Sequence, residues 1–294
     1  MVDIICKQRN PYFIDGPAQI GFSGGRSSGY MLKRVLNAHN GKLPEDVYIL
    51  FENTGKEREE TLIFVDECNR NWGINVIYLE YCRIFGRDDL PRYKIVNFET
   101  AARKGEPFEC MMAYYDALRA SKGLMPILPN HSNKMCSAYL KTKAAAWFMR
   151  ERGYDRWDAV VGIRYDEPRR YHNGMAANNA RTERWESYFP MYLDGITKER
   201  VNEFWKEQPF DLGIDSDLGN CDICWKKHPL KIMRSIRENP SAVDWWIAQE
   251  KRTGQRFRND GWTYEAFKSS VLDQTAFDFS IPDSGESIDC ACTD

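Results

Sequence analysis

The sequence has almost no excess of charge of either sign: 41 lysines and arginines stand against 43 aspartates and glutamates, a net −2. No global positive field therefore draws the chain to nucleic acid or to an anionic membrane, and any polyanion must be held by a local site. Apolar runs are short as well, none approaching the roughly 18 residues of a membrane span. The start, MVDIICKQRN, lacks the basic-then-apolar layout of a secretion signal. The expectation is a cytoplasmic protein with no membrane partner. Internal repeats and low-complexity tracts are missing too, which excludes solenoids and biased linkers.

Cysteine, by contrast, is plentiful, with nine residues at positions 6, 68, 82, 110, 136, 221, 224, 290 and 292. An odd total in a 294-residue chain argues against a secreted disulfide framework. In a reducing compartment, clustered cysteines more often bind metal or do redox chemistry. With 43% hydrophobic and 13% aromatic residues and a mean hydropathy of −0.60, the chain has the make-up of a soluble globular protein. Its length fits two domains of about 150 residues or one enlarged α/β domain.

The first third alternates between two periodicities. Residues 18–22 form a short apolar strand, the Gly/Ser loop SGGRSS follows at 23–28, and Met31, Leu32, Val35 and Leu36 mark a helix. VYILFEN at 47–53 reads as a buried strand, 57–72 as a helix burying Leu62, Val65, Cys68 and Trp72, and NVIYLEY at 75–81 as a third strand. Strand, helix, strand, helix, strand predicts an α/β fold, a parallel sheet flanked by helices. Residues 85–135 read as an insertion folding over the sheet edge, with a helix around MMAYYDALRASKG. A helix over about 137–152 leads to a fourth strand at 159–163 and a loop, RYDEPRRYHNG. Beyond 195 the reading is helical (199–207, 229–239, 241–251, 263–272), followed by an acidic tail. The expected organisation is a nucleotide-binding domain over 1–194, a helical metal-binding region over 195–272 and a cysteine-bearing tail over 273–294.

SGGRSS between a strand and a helix is the most informative segment. Small residues let backbone N–H groups close on an anion, and the helix N-terminus adds partial positive charge. Ser23, Ser27 and Ser28 supply hydroxyls, Gly24 and Gly25 the close approach, and Arg26 a charge. Neither the GxxxxGK[ST] spacing of a Walker A loop nor a GxGxxG fingerprint is present.

This loop resembles the PP-loop (SGGxxS) of ATP pyrophosphatases and, more closely, of the phosphoadenosine phosphosulfate (PAPS) and adenylyl sulfate (APS) reductases. Further stretches match in the same order. ENTGKEREETLIFV resembles the family's Thr-Gly then Glu-Thr segment through Thr54, Gly55, Glu60 and Thr61. GIRYDEPRR resembles its Gly-Ile-Arg loop, which implies that Gly162, Arg164 and Arg170 lie near a phosphate or sulfate. FPMYLDGITKERVNEFWKEQ resembles the segment leading towards the last cysteines. The implied fold is the adenine nucleotide alpha hydrolase-like sheet. The implied ligand is an adenine nucleotide: ATP, APS or PAPS.

Cys221 and Cys224 form NCDIC, a CxxC able to bind one metal centre. The cluster-bearing reductases carry a Cys-Cys pair on a helix before such a CxxC. Here Cys136 stands at the pair's first position and Ser137 at its second. The resemblance implies a [4Fe-4S] cluster on Cys136, Cys221 and Cys224, with Cys292, Cys290 or Cys110 as the fourth ligand, or with one iron left open. The competing reading is zinc on Cys221, Cys224, His228 and Cys136, because CxxCxxxH is a zinc spacing. Asp289-Cys290 resembles the family's nucleophilic tail, but Ala291-Cys292-Thr293 replaces the following Gly-Leu-His. Cys290 and Cys292 are therefore the candidate catalytic thiols.

Three functions remain open. The first is reduction of APS or PAPS to sulfite with a thioredoxin-like reductant. The second is an ATP-dependent sulfur transferase that takes sulfur from a donor and thiolates a nucleic-acid or small acceptor. The third is a non-catalytic nucleotide-binding protein with structural zinc. Cys6, Cys68 and Cys82 read as packing, His39, His131 and His172 as surface groups, and Trp245 and Trp246 as core. Arg169, Arg170, Arg181 and Arg184 concentrate positive charge after the fourth strand.

Overall fold

A computed structural model describes residues 10–215 and 218–272. Cys6, Cys290, Cys292 and the acidic tail lie outside the described residues.

Six strands form one sheet: β1 (Ala18–Gly21), β2 (Val47–Glu52), β3 (Val76–Tyr81), β4 (Tyr93–Val96), β5 (Trp157–Val160) and β6 (Trp185–Tyr188). Their order is β4-β3-β2-β1-β5-β6, and every pair is parallel except β3 with β4. The α/β expectation with a mostly parallel sheet therefore holds. Side chains alternate between the faces of each strand. Ile20, Ile49 and Phe51 pack on one face with α1 (Arg26–Ala38) and α2 (Glu59–Trp72). Leu50 and Leu79 pack on the other, with Phe148 and Met149 of the helix Ala144–Glu151. Gly73, left-handed at φ 60°, ends α2.

Several elements differ from expectation. The fourth strand starts earlier, at Trp157, and Val161–Arg164 already leave the sheet as a loop. The insertion supplies the antiparallel edge strand β4 and the helix α3 (Glu106–Ala120). The loop expected after the fourth strand is largely helical, because Pro168 starts the helix α5 (Pro168–Ala180); α4 is the helix Ala144–Glu151. Strand β6 was not anticipated, since its half-exposed WESY carries no apolar alternation. Residues Cys136–Lys143 are π-helical rather than α-helical, the kind of local distortion often met at functional sites.

Of the C-terminal helices, α7 (Lys198–Lys206), α8 (Pro229–Glu238), α9 (Ala242–Thr253) and α10 (Tyr264–Leu272) follow the expected ranges, while the single turn α6 (Pro190–Leu193) precedes them unanticipated. Helix α7 packs on α1, where Gly29 lets Trp205 approach: a Cβ there would stand 2.7 Å from its ring. Helices α8 to α10 form a separate core with α3, built on Phe108, Met111, Trp225, Ile232, Trp246 and Phe257. Trp246 is core as expected, with Trp245 half-buried beside it. Among the described residues no helix is long and apolar enough to cross a membrane.

Candidate functional site

The strand order reverses between neighbouring β1 and β5, and in open α/β sheets ligands bind at the C-terminal ends of the strands at such a switch point. Both candidate anion loops open there. Residues 23–28 leave β1, and Gly162 to Arg164 leave β5.

The first loop is tightly built. Gly24 has φ 78°, and a Cβ would lie 2.6 Å from Thr61 Cγ2, so only glycine fits. Gly25 is the extended N-cap of α1, and no side chain caps the helix there. The Ser23 and Ser28 hydroxyls are 3.0 Å apart, and Ser28 donates to the Gly25 carbonyl. Gly162 packs on this turn, since a Cβ would stand 3.2 Å from Ser28 Cα. Arg164, 6% exposed, donates to Ser27 Oγ at 2.8 Å. Asp166 and Glu167 flank its guanidinium at 3.1 and 3.7 Å, and Glu167 also pairs with Arg170. Arg164 thus reaches the loop as expected, with Arg170 behind it. Arg26 instead donates to the Asp211 carboxylate through Nε and Nη2 and to the Ile214 carbonyl through Nη1.

The segment after β2 forms the second wall. Asn53 donates to buried Glu80 and accepts from the Gly55 N–H, while the Thr54 N–H and hydroxyl bond Glu57. Gly55, at φ 75°, lets Pro107 and Gly105 close over it, with a Cβ only 2.9 Å from Pro107 Cδ. Burial pushes the Glu52 carboxyl at the end of β2 up to about 7, with Lys141 opposing that rise.

The cysteine segment is strapped onto this wall. Glu57 and Cys221 form a β-bridge, Arg58 N–H donates to the Asn220 carbonyl, and Asp222 N–H donates to the Lys56 carbonyl. Asn220 also donates through Nδ2 to the Ser23 carbonyl at 2.8 Å, tying the CxxC directly to the phosphate loop. A small enclosed pocket results. Cys136, Cys221 and Cys224 all line it, together with Thr54, Lys56 and Ser137. Residues far apart in sequence are thereby brought to one place beside a predicted nucleotide residue.

Lysines dominate the surroundings. Lys56 pairs with Asp222 at 2.7 Å and lies over the Trp245 ring, Lys141 faces Glu57 at 3.8 Å, and Lys226 donates to Ser137 Oγ at 3.0 Å. Lys227 donates to the Cys221 and Asp222 carbonyls, and burial pushes its ammonium down to about 8. Asp222 and Glu57 offset part of the positive charge of this frame.

Other candidates lie elsewhere. Cys110 bonds the Arg83 carbonyl outside the pocket, and burial pushes its thiol up to about 11. His228 caps α8, its Nδ1 accepting from Leu230 N–H, and is absent from the pocket lining. Cys68 is buried core and Cys82 half-buried. Of the three histidines expected on the surface, His172 is exposed. His39 instead accepts from the Ile14 N–H and stacks on Phe13, while half-buried His131 packs edge-on against Trp225.

Among the described residues no three Cys, His, Asp or Glu side chains converge as a single-ion site. Ligands of one zinc must all lie about 2.3 Å or less from one point. Cysteines holding a cluster bind separate irons and stand farther apart. Cys136, Cys221 and Cys224 stand as three thiol donors in the wall of one pocket. The sequence reading missed Lys56, Lys141 and Asn220; only Asn220 and the Lys226-Lys227 pair, adjacent to the CxxC, carried a local signal.

No family model matches the chain. It is similar to an uncharacterized nin region protein, ORF290, of Escherichia phage lambda, with 29% identity over 247 residues covering 82% of this chain and 76% of that protein.

Proposed function

We propose that the protein is a PP-loop enzyme of the PAPS reductase type. It would bind an adenine sulfonucleotide on Ser23–Ser28 and Arg164 and hold a [4Fe-4S] cluster on Cys136, Cys221 and Cys224. The observation that carries this reading is the pocket shared by the three thiols with Thr54 and Lys56. The three thiols line it beside Thr54, and Asn220 of the same segment bonds the Ser23 carbonyl, which supports a cysteine centre working next to a bound nucleotide.

In this reading the N-terminal amides of α1 and the Arg164 guanidinium hold the phosphate end. Arg164 can add charge there because Ser27, Asp166 and Glu167 fix its position. A thiolate from the tail, Cys290 in the leading assignment, attacks the sulfonate sulfur. A sulfur–sulfur bond forms, the sulfur–oxygen bond to phosphate breaks, and the adenosine phosphate leaves with that electron pair. An external dithiol then cleaves the sulfur–sulfur bond, becoming a disulfide and releasing sulfite and the free thiol. When bound, the cluster supplies a polarising centre beside the transferred group.

The test uses the full chain purified without oxygen. About four iron and four sulfide per chain and sulfite release from APS or PAPS with thioredoxin are expected. One zinc without sulfide, or no sulfite from either nucleotide, would overturn this reading.

A second reading, ATP-dependent sulfur transfer, is favoured by one observation. Ser137, held by Lys226, stands in the pocket wall where a fourth thiol would be expected. An iron without a protein thiol is a place for sulfide to bind. Here the acceptor oxygen attacks the α-phosphate and pyrophosphate leaves; sulfide then displaces AMP from the activated acceptor. Pyrophosphate release from ATP that requires the acceptor separates this reading from the first.

A further inference from the structure

Helix α5 is unusual in burying none of its 13 side chains. Its sequence, PRRYHNGMAANNA, contains no acidic residue. A helix without an apolar stripe is not placed by burial of its own side chains; Tyr171 packs on Phe189 and Tyr192, and two further contacts hold it. Gly174 lies against the Phe189 ring, where a Cβ would stand 2.3 Å from Cζ. The Asn178 amide accepts from the Ser187 N–H and donates to its carbonyl, both at 2.8 Å, sealing the outer edge of β6. The opposite face, with Arg169, His172, Asn173, Ala176 and Ala177, is left exposed.

At the N-terminal end of this helix three tyrosines form a ladder. Tyr171 and Tyr192 stack at 3.7 Å with their rings 3° apart, and Tyr165 continues from Tyr192 at 5.2 Å and 40°. The last ring is 55% exposed although its backbone is fixed by a hydrogen bond from its N–H to the Ile196 carbonyl. Its chain neighbour is Arg164, whose guanidinium bonds Ser27 in the phosphate loop. The local acids, Asp166 and Glu167, are engaged by Arg164 and Arg170, so they oppose a bound phosphate less than free carboxylates would.

We propose that Tyr165 and the exposed face of α5 are a stacking platform for a single-stranded nucleic acid, with one base on Tyr165 next to the phosphate loop. Every base has a π-face, so an open ring ending a rigid aromatic ladder accepts one without sequence preference. Arg169 meets the phosphates as the strand runs along the helix, whose 13 residues span about 20 Å. Because the net charge is near zero, attraction is local and falls with salt. The role of this surface rests on the sulfur-transfer reading, in which it would present the acceptor. The binding itself does not.

The test measures fluorescence anisotropy of labelled 12-mers, oligouridylate in one arm and oligothymidylate in the other, on the full chain at two salt concentrations. The expected result is saturable binding in at least one arm, weaker at high salt. Tyr165→Ala should weaken it about tenfold, Tyr165→Phe should retain it, and Arg169→Glu should weaken it and reduce the salt dependence. Equilibrium binding of ATP or APS should be unchanged in all three variants. Three results would overturn the proposal: no saturable binding at low salt, equal affinity for wild type and Tyr165→Ala, or complete displacement of the oligonucleotide by AMP alone. No turnover is required, so failure here is distinguishable from failure of sulfite or pyrophosphate release.

Discussion

The phosphate loop and the cysteine pocket are built by opposite means. Residues 23–28 owe their shape to their immediate chain neighbours, with a left-handed Gly24, an extended Gly25 and the Ser28 hydroxyl closing on the Gly25 carbonyl. The cysteine pocket instead joins segments far apart in sequence. Cys136 sits in a π-helical stretch, Cys221 and Cys224 follow 85 and more residues later, and Thr54 comes from the end of β2. The Gly/Ser loop is therefore shaped by its own strand and helix, whereas the thiols of separate segments meet only when straps such as Glu57–Cys221 and Asn220–Ser23 are in place.

The largest effect should separate the thiols inside the pocket from the one outside it. Cys221→Ser and Cys224→Ser should each lose most of the bound iron and sulfide and about 10²-fold or more in activity. Cys110→Ser should keep both, as metal analysis and turnover will show. Equal losses in all three would move the centre away from the pocket.

Gly24→Ala tests the local half. A Cβ at φ 78° and 2.6 Å from Thr61 should cost about 2–3 kcal/mol of stability, seen as a lower denaturation midpoint, and weaken nucleotide binding while sparing metal content.

Asn220→Ala tests the tie between the halves. Loss of its bond to the Ser23 carbonyl should destabilise by about 1–3 kcal/mol and impair nucleotide binding and metal retention together. Impairment of only one would show that the two walls are independent.

The last test concerns Glu52, whose effect shows only as a dependence on pH. Burial raises its folded value from 4.5 to about 7, so the folded state binds the proton more tightly than the unfolded one. Its contribution to stability is present below about pH 4.5 and is lost as pH rises towards 7. Glu52→Gln should flatten that part of the stability–pH curve, as measured by denaturation across the window. An unchanged slope would place the titration elsewhere.

Legibility followed burial. Strands β1 to β3 and helices α1 and α2 read clearly from the sequence because their apolar residues face a common core at regular spacing. Strands β4 and β6 and helix α5 did not, because they sit at sheet edges where side chains are half-exposed and no period develops. Glycine in α5 marked a close approach to Phe189 rather than a loop. Arg26 shows the same limit within the site: its position in the loop suggested a phosphate ligand, yet Asp211, 185 residues away in sequence, engages it.

By itself the sequence determined the α/β class, the Gly/Ser turn between β1 and α1 and the CxxC, since each depends on hydrogen bonds and periodicities spanning a few residues. Only the tertiary structure decided that Cys136 shares a pocket with Cys221 and Cys224, that His228 and Cys110 stay out of it, and that four lysines surround the thiols. The physical reason is range. Electrostatic framing and thiol convergence depend on distances of a few ångströms between segments tens of residues apart, and no local pattern encodes such distances.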